Sequence, residues 1–249
     1  MRSLAGDERA GVAKIIAATE RRLADAQAES ERIDGMYAFD EMHRQEDATF
    51  VLGLDEVGRG PLAGPLAVGG VILDSSVRIA GLNDSKLVSP ALREEVASQV
   101  QATSVAWAVH YIEPERIDEI GMTASLKEAF RHVIDDMEDR GHPISTILLD
   151  GNPLHIDDRE VSVVKGDRKS ASIAASSIIA KVTRDTLMDS YDAQYPGYGF
   201  SSHKGYGTQA HQEAIRRLGL SPIHRRSFCR SFAQETVFYA VICEPLLVL

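Results

Sequence analysis

Four carboxylates in this 249-residue chain stand where apolar runs give out. Asp55 closes the run FVLGLD (50–55) with Glu56 beside it, and Val57-Gly58-Arg59-Gly60-Pro61 follows at once. Asp150 closes STILLD (145–150) ahead of Gly151, and Asp167 comes just after EVSVV (160–164), in Lys165-Gly166-Asp167. Acids gathered at the ends of buried strands are costly to ionise together unless something cancels their charge. A pair of divalent cations would do so, and oxygen ligands without Cys or His nearby favour Mg²⁺ or Mn²⁺ over Zn²⁺. Taken singly, an Asp at a strand end is more often a turn or helix-cap residue than a metal ligand. On spacing alone, the metal reading and the turn reading both stand.

The elements that must position these acids follow from apolar periodicity. Residues 50–55, 65–73 and 104–112 read as three strands of an antiparallel meander joined by short connections. The period then lengthens. Leu126, Phe130, Val133, Ile134 and Met137 form one face of an amphipathic helix over 123–140, stopped by Gly141 and Pro143. Strands at 145–150 and 160–164 come next, then helices at 172–195 and 207–219. The sum is an α/β domain, a mixed sheet flanked by helices. Residues 7 to about 34 read as a surface helix with a thin stripe of Val12, Ile15, Ile16 and Leu23, capped by Asp7 and ended at Gly35. This gives an N-terminal helical extension (1–48), a catalytic domain (49–231) and an apolar tail (232–249).

A net charge of −10 argues against a general nucleic-acid binder, which needs Lys and Arg for phosphate. The charge is uneven, however. Residues 110–160 carry five basic and thirteen acidic side chains, whereas 203–231 carry six basic (Lys204, Arg216, Arg217, Arg225, Arg226, Arg230) against Glu213 alone. A local phosphate-binding face is therefore compatible with the sequence. No apolar run approaches the ~18–20 residues that span a bilayer, and no secretory signal is recognisable at the N-terminus. Two cysteines, Cys229 and Cys243, suggest neither a disulfide framework nor a zinc site. A cytoplasmic, monomeric protein with no membrane partner is expected.

Eight segments in order resemble the ribonuclease HII family of bacteria. They are GLDEVGRGPLAGP (53–65), LNDSK (82–86), LLDGN (148–152), VVKGD (163–167), SIAASSIIAKVTRD (172–185), YPGYGF (195–200), HKGYGT (203–208) and SPIHRRSF (221–228). The resemblance implies a ribonuclease H-like fold and a hydrolase that cuts the RNA strand of RNA–DNA hybrids and incises 5′ of single ribonucleotides in duplex DNA. It makes Asp55, Glu56, Asp150 and Asp167 the catalytic acids, holding two Mn²⁺ or Mg²⁺ ions and leaving 3′-hydroxyl and 5′-phosphate ends. Gly58, Arg59 and Gly60 match the loop whose backbone reads the ribose 2′-hydroxyl, the atom that separates RNA from DNA. Tyr206 matches the ring that stacks on the neighbouring deoxyribose. Lys86, Lys181 and Arg184 are expected at phosphates, with Arg225 and Arg226 as further candidates, and Asp185 is expected in a helical ion pair.

The departures are local. The family pattern has a second lysine after Lys86 where this chain has Leu87, which removes one expected phosphate contact. The tail also runs on past Phe228. Its segment Gln234–Tyr239 loosely resembles a sliding-clamp-binding peptide, although a final element covering the core would read the same way. Another nuclease on the same fold would keep the four acids without needing a 2′-hydroxyl reader. A non-enzymic hybrid binder would tolerate losing an acid, and none is lost.

Overall fold

The computed structural model describes residues 10–45 and 49–231. Its centre is a five-stranded sheet built from β1 (Phe50–Val57), β2 (Leu66–Ile72), β3 (Ala106–Ile112), β4 (Ile144–Asp150) and β5 (Glu160–Val163), in the order β3-β2-β1-β4-β5. Strands β1, β2 and β3 pair antiparallel, while β4 joins β1 in parallel and β5 joins β4 in parallel. The expected mixed sheet is present. Its opening meander is interrupted, however: α2 (Pro90–Thr103) lies between β2 and β3, where the sequence suggested a short connection. That helix buries only Val96, Ala97 and Val100, too narrow a stripe to register as periodicity. Ser89 caps it, accepting the Leu92 N–H, and Pro90 starts it.

Helices cover both faces. α4 (Met122–Asp139), with α3 (Pro114–Ile120) before it, packs Leu126, Phe130, Val133 and Met137 against Leu52, Leu54 and Val68. On the opposite face α5 (Ala171–Gln194) lies so close to the sheet that a Cβ on Gly53 would meet the Ser172 carbonyl carbon at 2.2 Å. A Cβ on Gly69 would meet the Ser176 carbonyl oxygen at 2.5 Å. Only glycine permits that approach. Ser176 Oγ then donates to Gly53 O at 2.7 Å, pinning helix to strand. A third cluster, around Phe200 and Tyr198, seats α6 (Phe200–His203) and α7 (Gln209–Leu218) beside the end of α5.

The N-terminal helix α1 (Ala10–Met42) does not stop at Gly35. Gly35 faces open space, and the roughly 1 kcal/mol a mid-helix glycine costs is offset one turn on, where Met36, Tyr37 and Asp40 are buried. Asp40 accepts Ser170 Oγ at 2.5 Å and Ser172 N at 2.7 Å, so α1 caps the start of α5. Burial pushes the Asp40 carboxyl up to about 6 against those same hydrogen bonds. Its proton is held more tightly in the folded chain than in the unfolded one, so this site's contribution to stability falls as pH rises from ordinary carboxylate values to about 6. We expect Asp40→Asn, which keeps an acceptor without the charge, to gain on the parent protein in melts at pH 7.5 and to match it near pH 4. Asp40→Ala should lose about 1–3 kcal/mol by stranding the Ser172 N–H. Equal pH dependence of parent and Asn variant would remove this account.

Candidate active site

Alternation along β1 sends Val51, Gly53 and Asp55 toward α5, and Leu52, Leu54 and Glu56 toward α4. Both acids lie inside β1, which the sequence expected them to end and which runs one residue further, to Val57. They nonetheless share one field, because β4 is the parallel neighbour. Leu54 pairs with Leu149, which sets Asp150 alongside the Asp55–Glu56 step. Asp167 belongs to a single 3₁₀ turn, Gly166–Arg168, directly ahead of α5. That turn is tied to β4, since Gly166 N donates to Asp150 Oδ1 at 2.6 Å. A Cβ on Gly166 would meet Asp150 Oδ1 at 3.2 Å and Ile173 Cδ1 at 2.6 Å, so the approach needs glycine.

The electrostatics are those of crowded, desolvated acids. Burial, then the charge of Glu56, with a further contribution from Asp150, raises the Asp55 carboxyl well above the ordinary range. Glu56 is raised by burial and by Asp150, while Arg59, 3.1 Å away, pulls it back. Asp167 is raised by burial, then by Asp150 and Asp84. Glu56 N donates to Asp55 Oδ1 at 2.8 Å, and Ser177 also hydrogen-bonds Asp55. Ser177 in turn bonds Ser85 Oγ at 3.0 Å, which joins the LNDSK loop to the acids.

The sequence reading missed Ser177 and Asp84. Asp84 is a buried acid that accepts from Lys86 N at 2.9 Å and pairs with Arg168 at 3.1 Å. It stood unremarked beside Lys86 in the same motif.

Could these residues hold cations? The donor set is all oxygen, and its raised carboxyls mark uncompensated negative charge, both suited to a hard divalent ion. Among the described residues, no three His, Cys, Asp or Glu side chains enclose an ion as they stand. Mg²⁺ and Mn²⁺ keep waters and take substrate phosphate oxygens as ligands, so they need fewer protein side chains than a closed structural site.

The substrate-side candidates separate into two groups. Arg59 and Gly60 are exposed, and Lys86 is exposed on the loop that bears Asp84. Tyr206, 42% exposed, lies against the glycine loop, with its Cε1 3.9 Å from the position of a Cβ on Gly60. Leu62 N and Ala63 N both donate to Gly205 O, at 2.8 and 3.3 Å, so the two loops are stitched together.

Arg184, expected at a phosphate, is fully buried. Its guanidinium donates to Pro65 O, Lys204 O and Ala63 O at 2.9, 3.0 and 3.2 Å. Arg225 is likewise fully buried, donating to Gly58 O, Gly64 O and Arg59 O at 2.6, 2.9 and 3.1 Å. Both hold the loop from beneath and neither reaches solvent, which corrects the expectation of phosphate contacts. Lys181 is half-buried and paired with Asp185 at 2.8 Å, the ion pair expected of Asp185. Arg226 and Arg230 remain exposed on the basic segment.

The strand order β3-β2-β1-β4-β5, with acids on the adjacent β1 and β4, places the chain in the ribonuclease H-like class of folds. The ribonuclease H2 of Pyrococcus horikoshii is similar, with a TM-score of 0.63 at 27% identity over 75% of this chain and 98% of that one. The ribonuclease HIII from Bst solved in complex with Mn²⁺, 20% identical with a TM-score of 0.57, shares the fold over 80% of this chain and 72% of its own. The chain belongs to the ribonuclease HII family. That family's model matches residues 52–231, and the model of the ribonuclease HII N-terminal domain matches residues 1–44. The ribonuclease HII of Ruminiclostridium cellulolyticum is 42% identical over 83% of this chain and 80% of its own length; that of Enterococcus faecalis is 41% identical over 89% and 86%. It is therefore a ribonuclease H, an endonuclease acting on RNA–DNA hybrids. Among the described residues no helix is long and apolar enough to cross a membrane.

Proposed function

We propose that this chain, besides cutting the RNA strand of hybrids, incises duplex DNA on the 5′ side of a single embedded ribonucleotide. The observation that carries the reading is the junction of two loops beside the acids. Gly60 is exposed, and a Cβ placed on it would meet Tyr206 Cε1 at 3.9 Å, so this glycine and that ring stand side by side. A ribose lying over this exposed glycine would put its 2′-hydroxyl on the backbone of Gly58-Arg59-Gly60 and the next sugar against Tyr206.

Asp55, Glu56, Asp150 and Asp167 would hold two divalent ions, Mn²⁺ or Mg²⁺. When bound, these ions cancel the acids' charge, lower the pKa of water and neutralise the leaving oxygen, giving 3′-hydroxyl and 5′-phosphate ends. The chain's own contribution is placement. Ser177 and the Glu56 N–H orient Asp55, Gly166 orients Asp150, and Arg59 favours the charged form of Glu56 against burial and the charge of Asp150. Lys86 remains our candidate for a phosphate contact, whereas Lys181 would have to leave Asp185 to make one.

The test is Gly60→Ala on a duplex carrying one ribonucleotide, beside a continuous hybrid. The methyl group has room within the protein, so stability should stay within about 0.5 kcal/mol of the parent. The same methyl occupies the space of the ribose, so incision at the single ribonucleotide should fall at least about tenfold. Full incision by Gly60→Ala would discard the loop as the ribose reader; failure of the parent to nick this duplex would discard the substrate.

We further propose a cytoplasmic monomer divided into an extension (1–48), a catalytic domain (49–231) and a tail (232–249). A sliding clamp is a candidate partner through Gln234–Tyr239, which lies outside the described residues. In support, a relative from Archaeoglobus fulgidus, 26% identical with a TM-score of 0.62 over 71% of this chain and 93% of its own, was solved as a PCNA complex. Clamp capture by the full chain and not by residues 1–231 is the expected result, and no capture by either rejects it.

A further inference from the structure

Three histidines outside the acidic centre lie beneath Tyr206. His203 belongs to α6 and His211 to α7, while His224 comes from the SPIHRRSF segment. His211 and His224 are buried, with Nε2 atoms 3.1 Å apart, and His203 stacks on His211 with ring centroids 4.3 Å apart. No group among them points at the acids, and the mechanism above uses none of them.

The hydrogen bonds at the two ends of this cluster fix every proton within it. At one end His211 Nδ1 lies 2.9 Å from Tyr206 O. A carbonyl only accepts, so Nδ1 carries the proton and Nε2 of the neutral ring accepts. At the other end Ser221 N donates to His224 Nδ1 at 2.9 Å, so that nitrogen accepts and His224 Nε2 carries the proton. The contact between the two Nε2 atoms then has one donor and one acceptor, and both ends independently require the same direction. His203 obeys the same rule: its Nδ1 accepts from Gly205 N at 3.2 Å, and its Nε2 donates to Tyr198 O at 2.9 Å.

We infer that Ser221, His224 and His211 form a one-way hydrogen-bonded chain that positions Tyr206, and that His211 and His224 thereby set the enzyme's preference for a single ribonucleotide. The inference rests on the reading of Tyr206 as the sugar-stacking ring. An imidazole is required at both places because each must accept on one nitrogen and donate on the other along a fixed line. A charged ring would present two donors and break the chain. Burial, which lowers both imidazoles to about 4, keeps them neutral. The Tyr206 carbonyl is held twice, by His211 and by Thr208 N at 2.8 Å, which uses both lone pairs and fixes the peptide that leads into the ring.

The chain makes an unusual demand on conservative variants. Toward Tyr206 the essential atom of His211 is Nδ1, which an Asn amide can replace and a Gln amide cannot. Toward His211 the essential atom of His224 is Nε2, which Gln can replace and Asn cannot. The measured quantity is the ratio of kcat/KM on a duplex with one ribonucleotide to that on a continuous hybrid. Each of the four variants loses one bond of the chain, but His211→Asn and His224→Gln keep the bond on the Tyr206 side. His211→Asn should therefore hold a ratio at least about threefold above that of His211→Gln, and His224→Gln one at least about threefold above that of His224→Asn. A merely structural role would rank Gln above Asn at both positions, because Gln is closer to His in volume, and that ranking overturns the inference. So does an unchanged ratio in all four variants. If the His224 pair fails to fold, as judged by thermal melts, the order within the His211 pair decides. If the His211 pair fails, a His224→Asn ratio equal to the parent's, measured at a temperature where the variant is folded, overturns the inference and a lowered ratio supports it. Tyr206→Ala is measured alongside. If its ratio equals the parent's, the sugar-stacking reading falls and takes the inference with it; if its ratio drops while those of the four histidine variants do not, the chain alone is rejected.

Discussion

Asp55→Asn and Asp150→Asn are expected to lose nicking by about 10³-fold or more, equivalent to about 4 kcal/mol or more of barrier, and yet to melt above the parent protein when divalent ions are chelated. The two effects have one cause. Asp55 is buried beside Glu56 and Asp150, and its carboxyl is raised mainly by burial and then by the charge of Glu56. Its proton is bound more tightly in the folded chain than in the unfolded one. Stability from this group is therefore intact at low pH and declines as pH rises through and above the ordinary carboxylate range. At pH 7–8 without cations, the folded chain carries repulsion that the unfolded chain does not.

The asparagine side chains remove that repulsion while keeping the local bonds. In Asp55→Asn the amide oxygen would still accept from Glu56 N, and in Asp150→Asn it would still accept from Gly166 N, in place of the bonds made now by the carboxylates. Divalent ions should reverse the order. A ligand that binds only the folded state stabilises it by about 2.7 kcal/mol at a hundred times its Kd, and the parent protein has the charge to bind it. Melting curves with and without Mn²⁺, taken beside nicking assays, separate these terms. Variants that melt below the parent under chelation would remove the repulsion account, and variants that still nick would remove these two acids from the catalytic set.

How much of this was legible in the sequence depended on whether a role shows in residue type or in surroundings. The acids at strand ends were visible because an Asp closing an apolar run breaks a pattern, and Asp55 and Asp150 do come together through the β1–β4 pairing. Arg184 and Arg225 were misread because an arginine that binds phosphate and one that binds carbonyls are the same letter; only burial separates them. Ser177, Asp84 and Asp40 stayed hidden for a related reason. Each acts through a partner 84 to 132 residues away in the chain, as in Arg168–Asp84 and Asp40–Ser172, and no local period encodes such a pairing. The length of α1 was underestimated because Gly35 is a stop signal only where nothing beyond it packs, and beyond it Met36, Tyr37 and Asp40 do pack.

Replacing Arg225 should have the second largest effect, on stability first and activity through it. Two guanidiniums lie side by side under the Gly58–Pro65 loop, and the hydrogen bonds described for them above all go to backbone carbonyls. Burial, and then the charge of Arg184, works against the ionised form of Arg225, so the pair is under mutual repulsion. Six carbonyls aimed inward compensate. Arg225→Met removes three of those donors while leaving Gly58 O, Arg59 O and Gly64 O in place, with nothing to accept from. Stranded buried acceptors at about 1–3 kcal/mol each, partly relieved by water and by easing of Arg184, give an expected loss of about 3–5 kcal/mol. Arg225→Lys should fall between, since an ammonium supplies a charge and three donors without the planar fork that reaches three separate carbonyls. Because the loop carries Gly58 and Gly60, incision at a single ribonucleotide should fall further than cleavage of a continuous hybrid, measured at a temperature where the variant is folded. A Met variant as stable as the parent would show that water replaces the guanidinium and that the loop holds its own shape. A loss of stability with the substrate ratio unchanged would separate the support of the loop from the reading of ribose.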